Sequence, residues 1–490
     1  MFYSILHRGG LEHNRSNKTL STNGSFSYSS SLSSSSLVLL LLLSVIVVVS
    51  SFMVTECSAS LPIPFYTAIL DPENYHERIR VNEYDSTKPF YQWWYFWLRD
   101  EQLNRHYAFT YALSLCKGRT SNENECKYDG FFVLFAVVDH STRTSFQKVE
   151  RFPYSSLHTV NDGSHFHLQV FNPSNSSEML YELKPLKDGQ YQIFGNMRKN
   201  SPNLFFTDKI DNSLNVNWNL TIDRIYGYYG QKSFEMPDEK FRGIIMWNTY
   251  SHDSLVNGIL NYQSNSISNT IIQPIHDRRW RFYCDMNFGQ FLPLAPDNDF
   301  GDRKYAWGWY YANIPSNNIE NELSVIAGTG RTYAMFPLGT MDARFADIRL
   351  NKTHHIELTQ LIVYGETFYY TNDGKVLTFD VHRSNWTTIT DTFGSAEIPL
   401  KQTCVMETEH YLVVIDFESK FTDYNRLLFP LKDQLFSDFE GLGVKASLSI
   451  TYKPTKQAIV NNVDVTSTSG LEFGYGVNTK LPTTTRPRMN

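Results

Sequence analysis

The sequence predicts an all-β protein made of two barrel- or sandwich-like halves with few short helices. Three observations carry that expectation. Aromatic residues make up 15% of the chain, an excess that favours pleated, half-buried surfaces. The densest aromatic run, Phe90-Tyr-Gln-Trp-Trp-Tyr-Phe-Trp-Leu98, has a later counterpart in Trp307-Gly-Trp-Tyr-Tyr-Ala-Asn313. Between and around them, short apolar runs alternate with turn signals, and no long amphipathic helix interrupts the series.

Taken in order, residues 1–36 are rich in Ser and Asn and read as a disordered leader. Leu37 to Val49 is apolar except for Ser44, a length suited to a signal-peptide core, and Ser58-Ala59-Ser60 offers a cleavage site before Leu61. The long leader keeps a signal-anchor as the other reading, with membrane attachment by the uncleaved segment (residues 37–60). Both routes place residues 61–490 in the secretory pathway, lumenal or extracellular. Five cysteines fit that route, because cleavage removes Cys57 and leaves Cys116, Cys126, Cys284 and Cys404. Cys116 and Cys126 bracket a polar loop and are expected to close it with a disulfide. Cys284 and Cys404 either pair or stand as buried thiols. The sequons at Asn175, Asn219, Asn351 and Asn385 fit glycosylated surface loops.

A first half is expected over residues 61–270, opened by the Phe90–Leu98 run. Read with period two, Trp93, Tyr95 and Trp97 share one face of that strand, and Trp94, Phe96 and Leu98 the other. Further strands follow from Tyr107 to Tyr250, with Asn161-Asp-Gly163 and Lys187-Asp-Gly189 as turns. The polar stretch from Asn257 to Pro274 reads as either a linker or a hairpin. A second half is expected over residues 271–453, with a hairpin turn at Asn372-Asp-Gly374. Arg344 to Ile348 and Pro430 to Phe439 are the two nearest helix candidates. Residues 454–490 read as a disordered tail.

The net charge is −6, and no basic cluster tracks a phosphate backbone, so nucleic acid is not an expected partner. No phosphate-binding loop, zinc motif or nucleophile elbow is present, and neither a cofactor nor a metal is expected. His354-His355-x-Glu357 could suggest a metal, but adjacent strand residues face opposite sides. The chemically informative stretch is Tyr283-Cys-Asp-Met-Asn-Phe-Gly289. Asp285 and Asn287 stand two apart and share a strand face. They are either the polar groups that orient a ligand in an aromatic pocket or ordinary polar residues at a strand end. A carboxyl buried there would have a raised pKa and could serve as a general acid.

In these stretches the chain resembles the tocopherol cyclase family, within the wider lipocalin-like group that includes carotenoid hydratases and fungal Diels–Alderases. Phe90-Tyr-Gln-Trp-Trp-Tyr-Phe96 is similar to that family's Phe-Phe-Glu-Gly-Trp-Tyr-Phe. Tyr283-Cys-Asp-Met-Asn-Phe-Gly289, Pro293 and the Trp307–Asn313 strand resemble its second motif, and Gly328-Thr-Gly330-Arg331 its Gly-rich strand end. His252 stands where the family has a His-Gly pair. The departures are Gln92 and Asp285 in place of glutamates, Met286 for Lys, Phe288 for Trp, and a loop-like insertion from Ala295 to Lys304.

The resemblance covers about residues 85 to 452 and implies two lipocalin-like halves around a hydrophobic cavity. It implies a hydrophobic small-molecule ligand, a prenylated or polyene lipid. Asp285 would donate a proton, Asn287 and His252 would stand beside it, and Trp94, Tyr95, Trp307, Trp309 and Arg331 would contact the ligand. Three roles follow: an isomerase or cyclase, a carrier without turnover, or a glycoprotein whose cavity is filled by its own side chains.

Overall fold

The computed structural model describes residues 65–66, 90–100, 102–115, 130–161, 166–186, 190–198, 213–224, 233–234, 245–263, 268–273, 280–289, 307–316, 321–334, 339–351, 353–363, 366–391, 394–431 and 434–477. The leader, the 37–60 segment, Cys116, Cys126 and the Ala295–Lys304 insertion lie outside them.

The chain is all-β. β1 (Phe65–Tyr66) is a two-residue strand. A long meander follows: β2 (Phe90–Asp100), β3 (Arg105–Leu115), β4 (Gly130–Asp139), β5 (Thr144–Phe152), β6 (Leu157–Asn161), β7 (Phe166–Asn172), β8 (Asn175–Pro185), β9 (Gln190–Met197) and β10 (Asn215–Arg224). β11 (Ser233–Phe234) pairs with β1. β12 (Ile245–Gln263), β13 (Ser268–Gln273) and β14 (Trp280–Gly289) complete the first large sheet. Its order is β5-β4-β3-β2-β14-β12-β10-β9-β8-β7-β6, with β13 added to β12.

The second half has two sheets. One is built from β15 (Trp307–Ile314), β16 (Leu323–Ala334), β17 (Gly339–Arg349), β18 (His355–Val363), β19 (Glu366–Thr371), β23 (Tyr424–Leu431), β24 (Gln434–Leu442) and β27 (Ser469–Val477). Its order is β19-β18-β17-β16-β15-β27-β24-β23. The other is β20 (Val376–Asp391), β21 (Gly394–Thr408), β22 (Tyr411–Glu418), β25 (Lys445–Tyr452) and β26 (Gln457–Asp464), in the order β20-β21-β22-β25-β26. Helical structure among the described residues is confined to three-residue 3₁₀ turns such as Tyr154–Ser156.

Burial follows the side-chain alternation of each strand. Phe90, Trp94, Phe96 and Leu98 of β2 join Phe109, Phe135, Trp218 and Phe282 in a first core enclosed by the large sheet. Tyr310, Phe379, Ile415, Leu448 and Phe473 belong to a second core between the two later sheets. The opposite face of β2 enters a third cluster, in which Tyr95, Trp97 and Tyr283 meet Trp309, Tyr311 and Ile326. Strands covered on both faces, such as β4, are buried throughout. Strands with a solvated face alternate, as β9 and β22 do.

Four expectations are corrected and two open readings are settled. β14 pairs with β2 and β12, so the first half runs to Gly289 and not to residue 270. The polar stretch near Asn265 separates β12 and β13, which pair as a hairpin. Residues 457–464 and 469–477, expected in a disordered tail, are strands, and β27 sits between β15 and β24. Both helix candidates are strands, in β17 and in β23 and β24. Asn372-Asp-Gly374 does not close a hairpin, because it carries the chain from β19 to β20 in a different sheet. The Asn372 amide ties that corner to β18 by donating to His355 O and accepting from Glu357 N. Cys284 lies in the first core and Cys404 in the second, as buried thiols and not as a bonded pair.

Candidate functional site

Two rows of side chains face one another where the large sheet meets the β15 sheet. In the large sheet, Thr110, Tyr95, Asp285 and Thr249 are in register across β3, β2, β14 and β12. In the β15 sheet, Asn425, Glu440, Glu472 and Trp309 are in register across β23, β24, β27 and β15. Directly paired strand residues project to the same side, so each row presents one edge to the other. One hydrogen bond joins the rows directly and a second joins them through Tyr283. Tyr95 OH donates to Glu440 Oε1 in a short contact, and Trp309 Nε1 donates to Tyr283 OH at 3.1 Å. Tyr283 OH in turn donates to Asp285 Oδ2 at 2.8 Å.

The tryptophans of β15 lie over glycines of β27. A Cβ on Gly470 would come within 2.6 Å of the Trp309 ring, and one on Gly474 within 2.4 Å of the Trp307 ring. Glu472 stands between those glycines and accepts from Trp307 Nε1 at 2.6 Å. The alternation Gly470-Leu-Glu-Phe-Gly474 therefore places a carboxyl between two indoles on one face and Leu471 and Phe473 in the second core on the other.

Four acids gather here: Asp285, Asp438, Glu440 and Glu472. Burial pushes the Glu440 carboxyl up to about 8, against a lowering by the Tyr95 hydrogen bond. Burial also raises Asp438 well above its ordinary value, reinforced by the neighbouring Glu472 and Glu440 charges. Glu472 is raised by burial, while hydrogen bonds from Trp307 and Asp438 pull the other way. In this pair Asp438 therefore holds the proton and Glu472 accepts it, because like charges this close do not both ionise. The Tyr95 phenol is raised by burial and by Glu440, and that of Tyr283 by burial and by Asp285. The site is thus a set of acids held partly protonated among aromatic rings.

Of the residues singled out in the sequence, Asp285, Tyr95, Trp307 and Trp309 meet here. Asn287 shares the Asp285 face, half-buried, and accepts from Tyr91 OH at 3.2 Å. Trp94 does not belong to the site. It lies on the opposite face of β2, fully buried in the first core, because period two separates it from Tyr95. Arg331 lies in β16 opposite Asp342, and its side chain is outside the described residues.

His252 is directed elsewhere. Its Nε2 lies 2.9 Å from Asp347 Oδ2 and its Nδ1 3.0 Å from Ser324 Oγ. Burial lowers its pKa, more than Asp347 raises it. The neutral ring with Nε2–H donating to Asp347 and Nδ1 accepting from Ser324 satisfies all three groups. Beside it, Asp253 pairs with Arg99 at 2.7 Å and Arg281 at 3.0 Å, and Arg281 also pairs with Glu322. Arg99 stands 5.3 Å from the ring centres of Trp97 and Tyr311.

Asp438, Glu440, Glu472 and Asn425 were not among the sequence candidates. The acid-aromatic-acid alternation of Asp438-Phe-Glu440, and the acid between Leu471 and Phe473, is the signal that points to them. Asn175, Asn219 and Asn385 are exposed, and Asn351 is half-buried, with its Oδ1 accepting from Thr353 N and His354 N. Among the described residues no group of side chains is arranged to hold a metal ion, and no helix is long and apolar enough to cross a membrane.

No family model and no curated protein matches the sequence. Several solved structures are similar in shape. Kievitone hydratase from Nectria haematococca is 13% identical, with a TM-score of 0.44 over 85% of this chain and 94% of that one. CghA is 8% identical, with a TM-score of 0.45 over 79% and 88%. An AttH-type protein from Nitrosomonas europaea is 10% identical, with a TM-score of 0.34 over 83% and 100%. At TM-scores this low the likenesses decide neither activity nor ligand.

Proposed function

We propose that the chain binds an apolar small molecule of the prenylated or polyene kind between its two halves and transfers a proton to it, as an isomerase or cyclase of the tocopherol cyclase type. One observation carries this reading: Glu440 is a buried carboxyl pushed up to about 8 among aromatic rings, with Oε1 held by Tyr95. At neutral pH such an acid keeps its proton, which sits on the remaining oxygen, Oε2. Protonating an alkene needs an acid with little competing water, and aromatic faces favour the cation that forms. The proton adds to one alkene carbon and the neighbouring carbon becomes cationic. An internal hydroxyl then closes on that carbon and releases its proton to a carboxylate, so the product is an isomer of the substrate. In this reading Glu440 takes the donor role expected of Asp285, because it is the carboxyl pushed up to about 8 with Oε2 outside the Tyr95 bond.

Glu440→Gln tests this. It keeps the Tyr95 hydrogen bond and removes the proton, so turnover of a geranyl-substituted hydroquinone should fall by a factor of 100 or more on the scale of general acid catalysis, about 10²–10⁴-fold. Binding should stay within about tenfold, roughly 1.4 kcal/mol. Wild-type protein that binds the hydroquinone without converting it would support the carrier reading. Equal turnover in both proteins would remove Glu440 as the acid.

A further inference from the structure

The facing rows leave buried polar groups unanswered. Asn425 stands opposite Glu440 on the neighbouring strand and shares its face, while the adjacent Tyr424 turns into the second core. Asn425 is 1% exposed. Among the described residues neither its Oδ1 nor its Nδ2 has a hydrogen-bond partner. Glu440 Oε2 and Thr110 Oγ1 are in the same state, and Thr110 sits beside Tyr95 on β3, against which β23 lies. An amide buried with both ends unpaired costs the empty protein stability and repays nothing there.

We propose that Asn425 reads the head group of the molecule bound at this site and sets its preference for a hydroxyl over an ether or carbonyl oxygen. This rests on the binding site proposed above. The hydroxyl follows from counting donors and acceptors. Nδ2 and the Glu440 proton are donors, and Oδ1 is an acceptor. An ether or carbonyl oxygen accepts only, so it leaves Oδ1 unanswered. A hydroxyl accepts from Nδ2, has a second lone pair for the Glu440 proton, and donates to Oδ1, satisfying both ends of the amide. An anionic head group would meet the Glu472 carboxylate, which accepts the Asp438 proton, and be repelled. The body is apolar because its surroundings are the rings of Tyr95, Tyr283 and Trp309.

The test uses 4-hexylphenol and its methyl ether 4-hexylanisole, titrated against the full chain by tryptophan fluorescence. The wild type should prefer the phenol by about tenfold or more. Asn425→Leu and the smaller Asn425→Ala should both lose that preference while holding the anisole within about twofold of wild type. Sites built to pair a hydroxyl reject the analogue that lacks it, so an equal affinity of the wild type for both probes would overturn the inference and leave the site standing. A preference that survives both substitutions would overturn it as well. So would a fall in the ligand-free melting temperature beyond about 5 °C in both variants, which would make the amide structural. Binding of neither probe by the wild type would overturn the site together with its head-group reader.

Discussion

Single residues decide what the Phe90–Leu98 strand does. Tyr95 and Trp94 are neighbours in sequence, yet one bonds the acid of the site and the other fills the first core. Trp94→Phe should therefore lower stability by about 1–3 kcal/mol and leave 4-hexylphenol affinity unchanged. Trp309→Phe, which loses the bond to Tyr283, should weaken that binding; thermal melts and fluorescence titration separate the two effects. Glu440 gives a pH signature. Its ordinary value is 4.5 and its folded value about 8, so between these pH values the folded chain binds a proton that the unfolded chain has released. Stability must then fall as pH rises through that window. Glu440→Gln should match wild type near pH 4 and melt above it at pH 8, and parallel melting curves across the window would contradict the assignment. The period-two reading correctly placed Asp285 and Asn287 on one face. It could not say that Glu440 would lie against Tyr95, since 345 residues separate them and no local pattern encodes such a contact.

At the scale of elements, strands with one solvated face were the easiest to read. Asn215-Val-Asn-Trp-Asn-Leu alternates strictly, and β10 exposes its asparagines while burying Val216, Trp218 and Leu220. The span Pro430 to Phe439 was misread, because its Leu and Phe spacing also suits a helix, yet it lies in β23 and β24. The tail was misread for a related reason. Its Thr and Asn content looks like linker, but β26 is exposed along most of its length and needs few apolar residues. β27 is the decisive element, holding β15 to β24 and carrying Glu472 between two glycines. A chain ending at residue 453 should fail to fold, since both edges would be left open and the second core would lose Leu471 and Phe473. A chain ending at residue 478 should melt like the full protein. Circular dichroism of the two truncations checks this, and a well-folded 453-residue form would refute the role given to β27.

Where the first half meets the second, the molecule buries a charged seam that was legible in the sequence only as scattered polar residues. We propose lumenal or extracellular placement of the folded part, and three of its four sequons are on exposed asparagines. Treatment of secreted protein with a glycosidase should lower its mass, and an unchanged mass would contradict that placement. Inside, Arg99, Asp253, Arg281 and Glu322 are fully buried, two guanidiniums against two carboxylates, at the contact of the first half with the second. Asp253 is the shared member, since it bonds Arg99, Arg281 and the Asn313 amide. Assembling such a group gains little over apolar packing, because desolvation opposes the attraction, but removing one partner strands a charge with no water to solvate it. Asp253→Asn should thus cost about 3–5 kcal/mol, far more than removing the exposed Lys445–Glu418 pair. The Asp253→Asn/Arg99→Met double variant should recover part of the loss, because it deletes one cation with the anion. Urea unfolding of wild type, Asp253→Asn, Arg99→Met and the double variant measures both steps. If the double variant proves as unstable as the two single losses added together, the seam is held by packing around these side chains and not by their charges.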